Sequence, residues 1–324
     1  LPVAVPALPK LAIAKMPTLA VREERNRLVI SGEAWQLGFD TVHGRMDQWI
    51  LDGLPLLCSG PQLDIWRAPT DNDRNTKAKW REFGYDRMQS RLDRLHLYQH
   101  NDRAVTVEVD TTLAAVSRAA AMRVSQRYTI YGLGDVVLTT RIHIGGRNLP
   151  AIPRLGLRFT MPGTFDRMSW FGRGPHDSYR DCKDSATIGT WSGLIQDQYV
   201  PYVLPQEHGN KADSRWLAVT DIRGSGLLAA AGDDDLNVSA SHYATEDLDA
   251  AKHTADLVRR DKTFVRLDHL HHGIGSNSCG PVPQPQHRLL AQGEHVFTVR
   301  LRAFHQDLIS PMLLTRQWPA ELAP

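Results

Sequence analysis

Cysteine is scarce in this sequence, and its three copies show no useful spacing. Cys58, Cys182 and Cys279 are an odd set without any CxxC pair. A disulfide framework or a Cys-based zinc site is therefore not expected, and this usage favours a reducing compartment, here the cytoplasm. Long apolar runs are missing too. None approaches the roughly 20 residues that a membrane helix needs, which predicts no membrane partner.

An excess of charge of either sign is also absent. The 324 residues carry 38 Lys and Arg against 36 Asp and Glu, a formal net charge of +2. Binding of nucleic acid through bulk charge is thus excluded as the leading function. Hydrophobic residues at 42% and charged residues at 23% are typical of a globular chain. A chain of this length is expected to fold without a metal or a disulfide.

Helical periodicity is weak, whereas alternation of apolar and polar residues recurs along most of the chain. It is visible over residues 28–30, 104–109, 155–159 and 296–301. Such alternation predicts strands with one buried face. Two hairpins are predicted, over residues 35–51 and 122–144. Their turns fall at His43-Gly44 and at residues 132–135.

Only two short helices are predicted. One covers residues 76–83 and ends at Gly84. The other covers residues 245–253, with Thr245 or Asp247 as its cap. The sequence therefore predicts an all-β domain with few helical turns.

The predicted domain boundaries lie where the strand alternation begins and ends. The chain starts without Met, and its first 22 residues carry four of the 19 prolines. Residues 1–25 are interpreted as a Pro-rich linker from an upstream domain, residues 26–306 as the all-β domain, and residues 307–324 as a C-terminal tail. A piece or a subunit of a larger protein is expected.

Four segments depart from the plain strand-and-turn pattern, and three of them carry specific motifs. The segments are residues 66–73, 170–179, 201–210 and 269–281. The motifs are Arg-Ala-Pro-Thr-Asp-Asn-Asp from Arg67, Gly-Arg-Gly-Pro from Gly172, and Gly-Ile-Gly-Ser-Asn-Ser-Cys-Gly-Pro from Gly273. In this order and spacing the chain resembles the C-terminal region of bacterial β-galactosidases of glycoside hydrolase family 2, the small chain or domain 5. The resemblance runs over residues 6–304. It implies an antiparallel β-supersandwich similar to galactose mutarotases.

The resemblance also implies a partner. The catalytic glutamates of this family lie on a TIM barrel, and no alternating strand-helix pattern of that kind occurs here. No catalytic residue and no cofactor are therefore expected in this chain, although the family barrel uses Mg and Na. The implied role is to brace the barrel, as a chain or domain of an oligomeric assembly. The chain would complete the rim of a site that hydrolyses terminal β-galactosides such as lactose.

The resemblance places three candidate substrate-binding residues in the last segment. A family Trp that stacks on the sugar falls on Cys279, beside Ser278 and Asn277. A thiol has no ring face on which a sugar could stack. The functional interpretation is that Cys279 still contacts the sugar, because it occupies the same place in the loop. The alternative is a small apolar residue packed under a loop.

Two further sets of residues are candidate site residues, because they lie in segments that resemble the family. Asp71, Asn72 and Asp73 match a family turn that anchors a mobile loop near the active site, here residues 74–80. The alternative is a turn whose carboxylates accept backbone N–H groups.

Glu207, His208 and Asn210 form the second set. They have no known chemical role in the family, and a satisfied polar cluster at a domain interface is the interpretation for them.

The histidines at 269, 271 and 272 suggest a metal. Strand alternation would place His269 and His271 on one face, and two imidazoles can begin a zinc site. Further ligands with suitable spacing are not evident, so no metal is expected.

Two other functions remain open. A free-standing mutarotase-like aldose epimerase needs an acid and a base, for which Glu207 with His176, His208 or His272 are the candidates. The absence of an Asn-His-Pro motif argues against it. A plain carbohydrate-binding module is the other alternative.

Overall fold

The protein is built almost entirely from antiparallel strands. The computed structural model describes residues 10–116, 118, 121–146, 148–275 and 282–322. The strands are β1 (Ala20–Glu24), β2 (Arg27–Ser31), β3 (Trp35–Asp40), β4 (Arg45–Leu51), β5 (Leu54–Pro55), β6 (Ser59–Asp64), β7 (Met88–Asn101), β8 (Ala104–Ala115), β9 (Met122–Tyr131), β10 (Asp135–Ile144), β11 (Arg154–Pro162), β12 (Arg167–Gly174), β13 (Thr187–Leu194), β14 (Lys211–Ser214), β15 (Trp216–Thr220), β16 (Ser225–Ala231), β17 (Leu236–Ser241), β18 (Lys262–His271) and β19 (Gly293–His305). The helices are α1 (Lys77–Phe83), α2 (Thr245–Ala250) and α3 (Pro311–Leu314).

These strands form three sheets. The N-terminal strands make a five-stranded meander in the order β1-β2-β3-β4-β5. A nine-stranded sheet follows the order β13-β12-β15-β16-β19-β10-β9-β8-β7, and a second five-stranded sheet has the order β14-β17-β18-β11-β6. Every pairing between these named strands is antiparallel.

The core lies between the nine-stranded sheet and the two smaller ones. Alternation along β8 turns Val105, Val107 and Val109 inward, and each is fully buried. They share one apolar cluster with Leu157 of β11 and Leu267 of β18. Burial of these alternating faces holds the sheets together. The predicted all-β, antiparallel supersandwich is confirmed.

The predicted hairpins and the first helix are also confirmed. β3 pairs with β4, and β9 with β10. Helix α1 ends at Gly84, which has φ +80°. Helix α2 is shorter than predicted, because Ala251 already has an extended backbone. Asp247 accepts the N–H of Ala244 at 3.0 Å, a cap placed three residues inside the helix.

The two terminal segments contain more structure than the sequence predicted. Strand β1 lies within the segment interpreted as linker and pairs with β2. In the segment interpreted as tail, α3 packs Leu314 against Trp216 and Phe304. Apolar side chains explain α3, since docking them covers a surface that the sheet alone would expose. Strand β1 has four exposed residues out of five and is held by its backbone pairing with β2. Among the described residues, no helix is both long and apolar enough to cross a membrane.

The β3–β4 turn rests on the nine-stranded sheet through Gly44. This glycine has φ +62°, and a Cβ there would lie 2.4 Å from Cδ1 of Leu92 and 2.9 Å from Cγ1 of Val109. Gly44→Ala is expected to lower the free energy of unfolding by about 2–3 kcal/mol, from backbone strain and this overlap. Urea denaturation measures it. Gly53→Ala is the matched control, because Gly53 has φ +80° with nothing within 4 Å. Equal losses in both variants would contradict the packing argument.

Candidate functional site

Arg67 is fully buried and joins two segments that are far apart in the sequence. Its Nε donates to Oδ2 of Asp73 at 3.1 Å, and one terminal nitrogen donates to Oδ1 at 2.7 Å. The guanidinium also donates to the carbonyl oxygens of His272 at 2.7 Å and Gly273 at 3.0 Å. Its carbon lies 5.5 Å from the ring centre of Trp80. A buried, bidentate ion pair therefore positions the start of the last singled-out segment.

A 3-10 turn, Asp71–Asn75, brings a side-chain amide to the same segment. Nδ2 of Asn72 donates to the carbonyl oxygens of Ile274 at 3.0 Å and Gly275 at 2.8 Å. The first residue of the turn donates its N–H to Oε1 of Gln206 at 3.0 Å. The turn thus contacts two of the three later singled-out segments, residues 201–210 and 269–281.

Asp181 holds this segment from a third element. Its two carboxylate oxygens accept the N–H groups of Ile274 and Gly275 at 3.0 and 2.9 Å. Backbone donors and acceptors of the segment are therefore both satisfied by side chains. The loop cluster, as we name it, comprises Arg67, Asn72, Asp73, Asp181 and residues 273–275.

The residues predicted as a loop anchor have two kinds of contact. Asp73 accepts the N–H of Thr70 at 2.9 Å in addition to the Arg67 bonds, which is the turn-stabilising role. Asn72 reaches across to residues 274–275. The anchoring of residues 74–80 stays a prediction.

A buried ion network lies beside the loop cluster. Arg154 donates to Asp268 at 2.8 Å and to Glu207 at 3.3 Å, and all three side chains are almost fully enclosed. Burial would raise the pKa of Glu207, but the charge of Arg154, with the ring of His271 3.7 Å away, holds it well below its usual value. Burial disfavours the charge of Arg154 as well, yet Asp268 and Glu207 raise its pKa. Glu207 is an ion-pair partner here rather than a free base.

The other two members of the predicted polar cluster are held separately. Nδ1 of His208 lies 2.9 Å from the carbonyl oxygen of Gln206, and burial lowers the pKa of His208. Nδ2 of Asn210 donates to the carbonyl oxygen of Ser178 at 2.7 Å. Glu207, His208 and Asn210 are all buried. Their place at a domain interface stays a prediction.

The histidines do not share a face, which corrects the alternation argument. β11 pairs Leu155 with Leu270 and Gly156 with Asp268, so a bulge leaves His269 out of the ladder. His269 stacks on Phe297, whereas His271 faces Tyr179 and Glu207. In the part of the chain that the structure describes, no three His, Cys, Asp or Glu side chains gather as metal ligands would.

All four singled-out segments meet at this place. Residues 66–73 supply Arg67, residues 170–179 supply Tyr179, residues 201–210 supply Glu207, and residues 269–275 close the site. The predicted substrate-binding residues Asn277, Ser278 and Cys279 lie outside the described residues.

Three participants were missed by sequence reasoning. Arg154 and Asp268 lie inside strand patterns, and Asp181 lies in a polar stretch. A charged residue within an apolar run, as in Arg154-Leu155-Gly156-Leu157, is a usable signal, because such a charge needs a buried partner. Asp181 offers no signal of this kind.

The match to a family model decides the classification. The model described as "Beta galactosidase small chain" matches residues 31–301, most of the chain. The chain belongs to the β-galactosidase small-chain family. The predicted resemblance is therefore confirmed.

Curated relatives agree with this small-chain assignment. The chain is 31% identical over 307 residues to a β-galactosidase of Vibrio cholerae, covering 91% of this chain and 29% of the relative. A β-galactosidase of Priestia megaterium is 30% identical over 301 residues, covering 91% and 28%. The chain thus spans less than a third of the length of these relatives.

Solved structures show a looser likeness. A galactose 1-epimerase from Lactobacillus acidophilus is 9% identical with a TM-score of 0.40, covering 90% of this chain and all of the other. The fold class of the chain rests on its own three sheets rather than on that overlap.

Proposed function

We propose that this chain is the non-catalytic C-terminal component of a β-galactosidase. It braces the catalytic TIM barrel, as a separate chain or a domain, and completes the rim of the sugar-binding site for terminal β-galactosides such as lactose. It works in the cytoplasm within an oligomeric assembly and supplies no cofactor of its own. Coverage of less than a third of each relative supports the need for a catalytic partner.

The observation that carries the rim role is the fixation of residues 273–275. Three side chains from three different elements bond the backbone of this segment. Residues 277–279, to which the family resemblance assigns sugar contact, follow directly in the sequence. A rigid base of this kind suits a rim loop. The conformational entropy of the base is already lost in the folded protein, so substrate binding does not have to order it.

The state of Glu207 argues against a free-standing epimerase. A general base needs a pKa near the working pH and access to substrate. Glu207 is enclosed, paired with Arg154, and has a pKa below its usual value. Of the histidines weighed with it, His208 and His272 are also buried.

A domain swap tests the proposal. In the Vibrio cholerae relative, the C-terminal segment that this chain matches is replaced by this chain. The isolated chain is expected not to hydrolyse o-nitrophenyl galactoside, whereas the chimera is expected to do so. The unaltered relative and its truncated form are the two controls. A chimera no more active than the truncated form would overturn the proposal, as would hydrolysis by the chain alone.

A substitution in the chimera addresses the rim itself. Asn72→Ala removes two hydrogen bonds to residues 274 and 275 from a half-buried position. We expect kcat/KM to fall about tenfold and the melting temperature to fall by only a few degrees, since two hydrogen bonds of about 1 kcal/mol each are lost. Asn101→Ala, at the distant end of β7, is the matched control. Unchanged kinetics in Asn72→Ala would show that the loop cluster does not position the rim of the sugar site.

A further inference from the structure

A cavity of about 450 Å³ opens between the β3–β4 turn and the inner face of the nine-stranded sheet. Its exposed mouth carries His43, Arg45, Gln89 and Ser90, and its floor is formed by buried side chains of β6, β8 and β9. It shares no lining residue with the loop cluster. The volume lies within the range of small-molecule sites, and it matches one or two sugar rings.

The floor holds a buried amide that lacks a hydrogen-bond partner. Gln126 of β9 is 6% exposed and lines the cavity, and its Nε2 has no hydrogen-bond partner. Asp64 of β6 is 7% exposed and also lines the cavity; its Oδ2 accepts no hydrogen bond and has Nε of Arg266 as an ion-pair partner 3.4 Å away. A buried amide donor left unpaired beside a cavity is rare in proteins, because an unpaired group is costly. A ligand with hydroxyl groups can accept from this amide and donate to the carboxylate, since a hydroxyl both donates and accepts.

The charges around the cavity compensate each other. Arg158 and Glu246 form an ion pair of 2.9 Å at the rim. Asp64 lies 3.4 Å from the guanidinium of Arg266. Because neither sign dominates, the lining favours a neutral ligand over an anion or a cation. Apolar wall is supplied by Trp66, against which the C–H groups of a sugar ring can pack.

We propose that this cavity is a binding site for a neutral saccharide. The hydroxyls of one ring pair with Gln126 and Asp64 at the floor, and the outer hydroxyls reach Arg158 and Glu246 at the rim. The inference goes beyond the proposed function, because it assigns sugar binding to this chain alone and needs no barrel. It holds or fails independently of the domain swap.

Calorimetry on the full chain tests the proposal. D-galactose, D-glucose and sucrose are the neutral probes, and D-glucuronate is the charged one. At least one neutral sugar is expected to bind with a millimolar or lower Kd, and glucuronate more weakly than glucose. No binding by any of the neutral probes would overturn the proposal, as would preference for glucuronate.

Substitutions assign the binding to the cavity. Gln126→Leu is expected to weaken binding of the best probe at least about fivefold, because it removes the floor hydrogen bonds at nearly constant volume. Gln99→Leu, an exposed position on β7, is the matched control. Glu246→Gln, at the exposed rim, provides a second variant that leaves the core intact, and it is expected to weaken binding about threefold. Unchanged affinity in both variants would overturn the assignment to this cavity. If Gln126→Leu is too unstable to measure, unchanged affinity in Glu246→Gln alone would overturn it.

Hydrogen exchange locates the bound sugar independently. Saturating probe is expected to protect amides of residues 62–66 and 85–90, which border the cavity. Protection confined to residues 271–275 instead would overturn the proposal, because it would place the sugar at the loop cluster.

Discussion

Replacing Arg67 with Met is expected to lower the free energy of unfolding by about 3–5 kcal/mol. The guanidinium is fully buried and donates two hydrogen bonds to Asp73 and two to backbone carbonyl oxygens, and Nδ1 of His271 lies 3.3 Å from it. Its loss leaves the Asp73 carboxylate, itself 2% exposed, as an uncompensated charge. Chemical denaturation followed by tryptophan fluorescence measures the change.

Two variants separate this effect from a general loss of charge. Arg22→Met removes a guanidinium that is 69% exposed and paired with Glu24, and its effect is expected to stay within about 0.5 kcal/mol. Arg67→Lys keeps the charge but not the planar fork, so an intermediate loss is expected. A loss below about 1 kcal/mol in Arg67→Met would show that the loop cluster is not held by this residue.

Acid is expected to destabilise the fold through His272. This residue is 3% exposed, and its Nδ1 accepts the N–H of Leu289 at 3.0 Å. Burial, aided by the charge of Arg67, lowers the pKa of His272 to about 3. Asp73 and Asp181 oppose this shift, and His271 adds to it. The folded protein therefore keeps the ring neutral over most of the acid range.

The direction of the pH effect follows from comparing the two states. Between pH 6.5 and pH 3 the unfolded chain binds a proton at this ring and the folded chain does not. The stabilising contribution is complete above pH 6.5 and is lost as the pH falls toward 3. Going from pH 7 to pH 4 is expected to cost about 3 kcal/mol from this group alone.

The measurement is urea denaturation across that pH range. In His272→Asn, whose side-chain oxygen can still accept the Leu289 N–H, the pH dependence is expected to shrink by most of this amount. His253→Asn, at a side chain that is 75% exposed, is the control and should keep the full slope. Identical slopes in wild type and His272→Asn would refute the assignment.

The strands could be predicted from the sequence because their signal is local. Alternation over residues 104–109 and a turn at Gly44 depend only on neighbours in the chain, and both are present as expected. That the four singled-out segments lie close together in space could be predicted only from the family resemblance. The motifs themselves do not indicate which segments become neighbours in the fold.

The ion network and the bulge could not be predicted for a physical reason. Arg154 meets Glu207 across 53 residues and Asp268 across 114, so the partner of a buried charge depends on which strands become neighbours. The position of His269 depends on one unpaired residue in β18, which alternation cannot reveal. Docking of α3 likewise depends on an apolar surface that exists only after the sheets have formed.

The long sequence separation of the Arg67 contacts has a consequence for folding. Arg67 bonds the backbone of His272 and Gly273 across 205 and 206 residues. Contacts this distant form only after the intervening strands have paired, because closing so long a loop has a large entropic cost. During synthesis, the segment that leads to the expected rim loop can take its final position only when nearly the whole domain has left the ribosome. Correct placement of residues 273–275 therefore reports that the strands between Arg67 and His272 have come together.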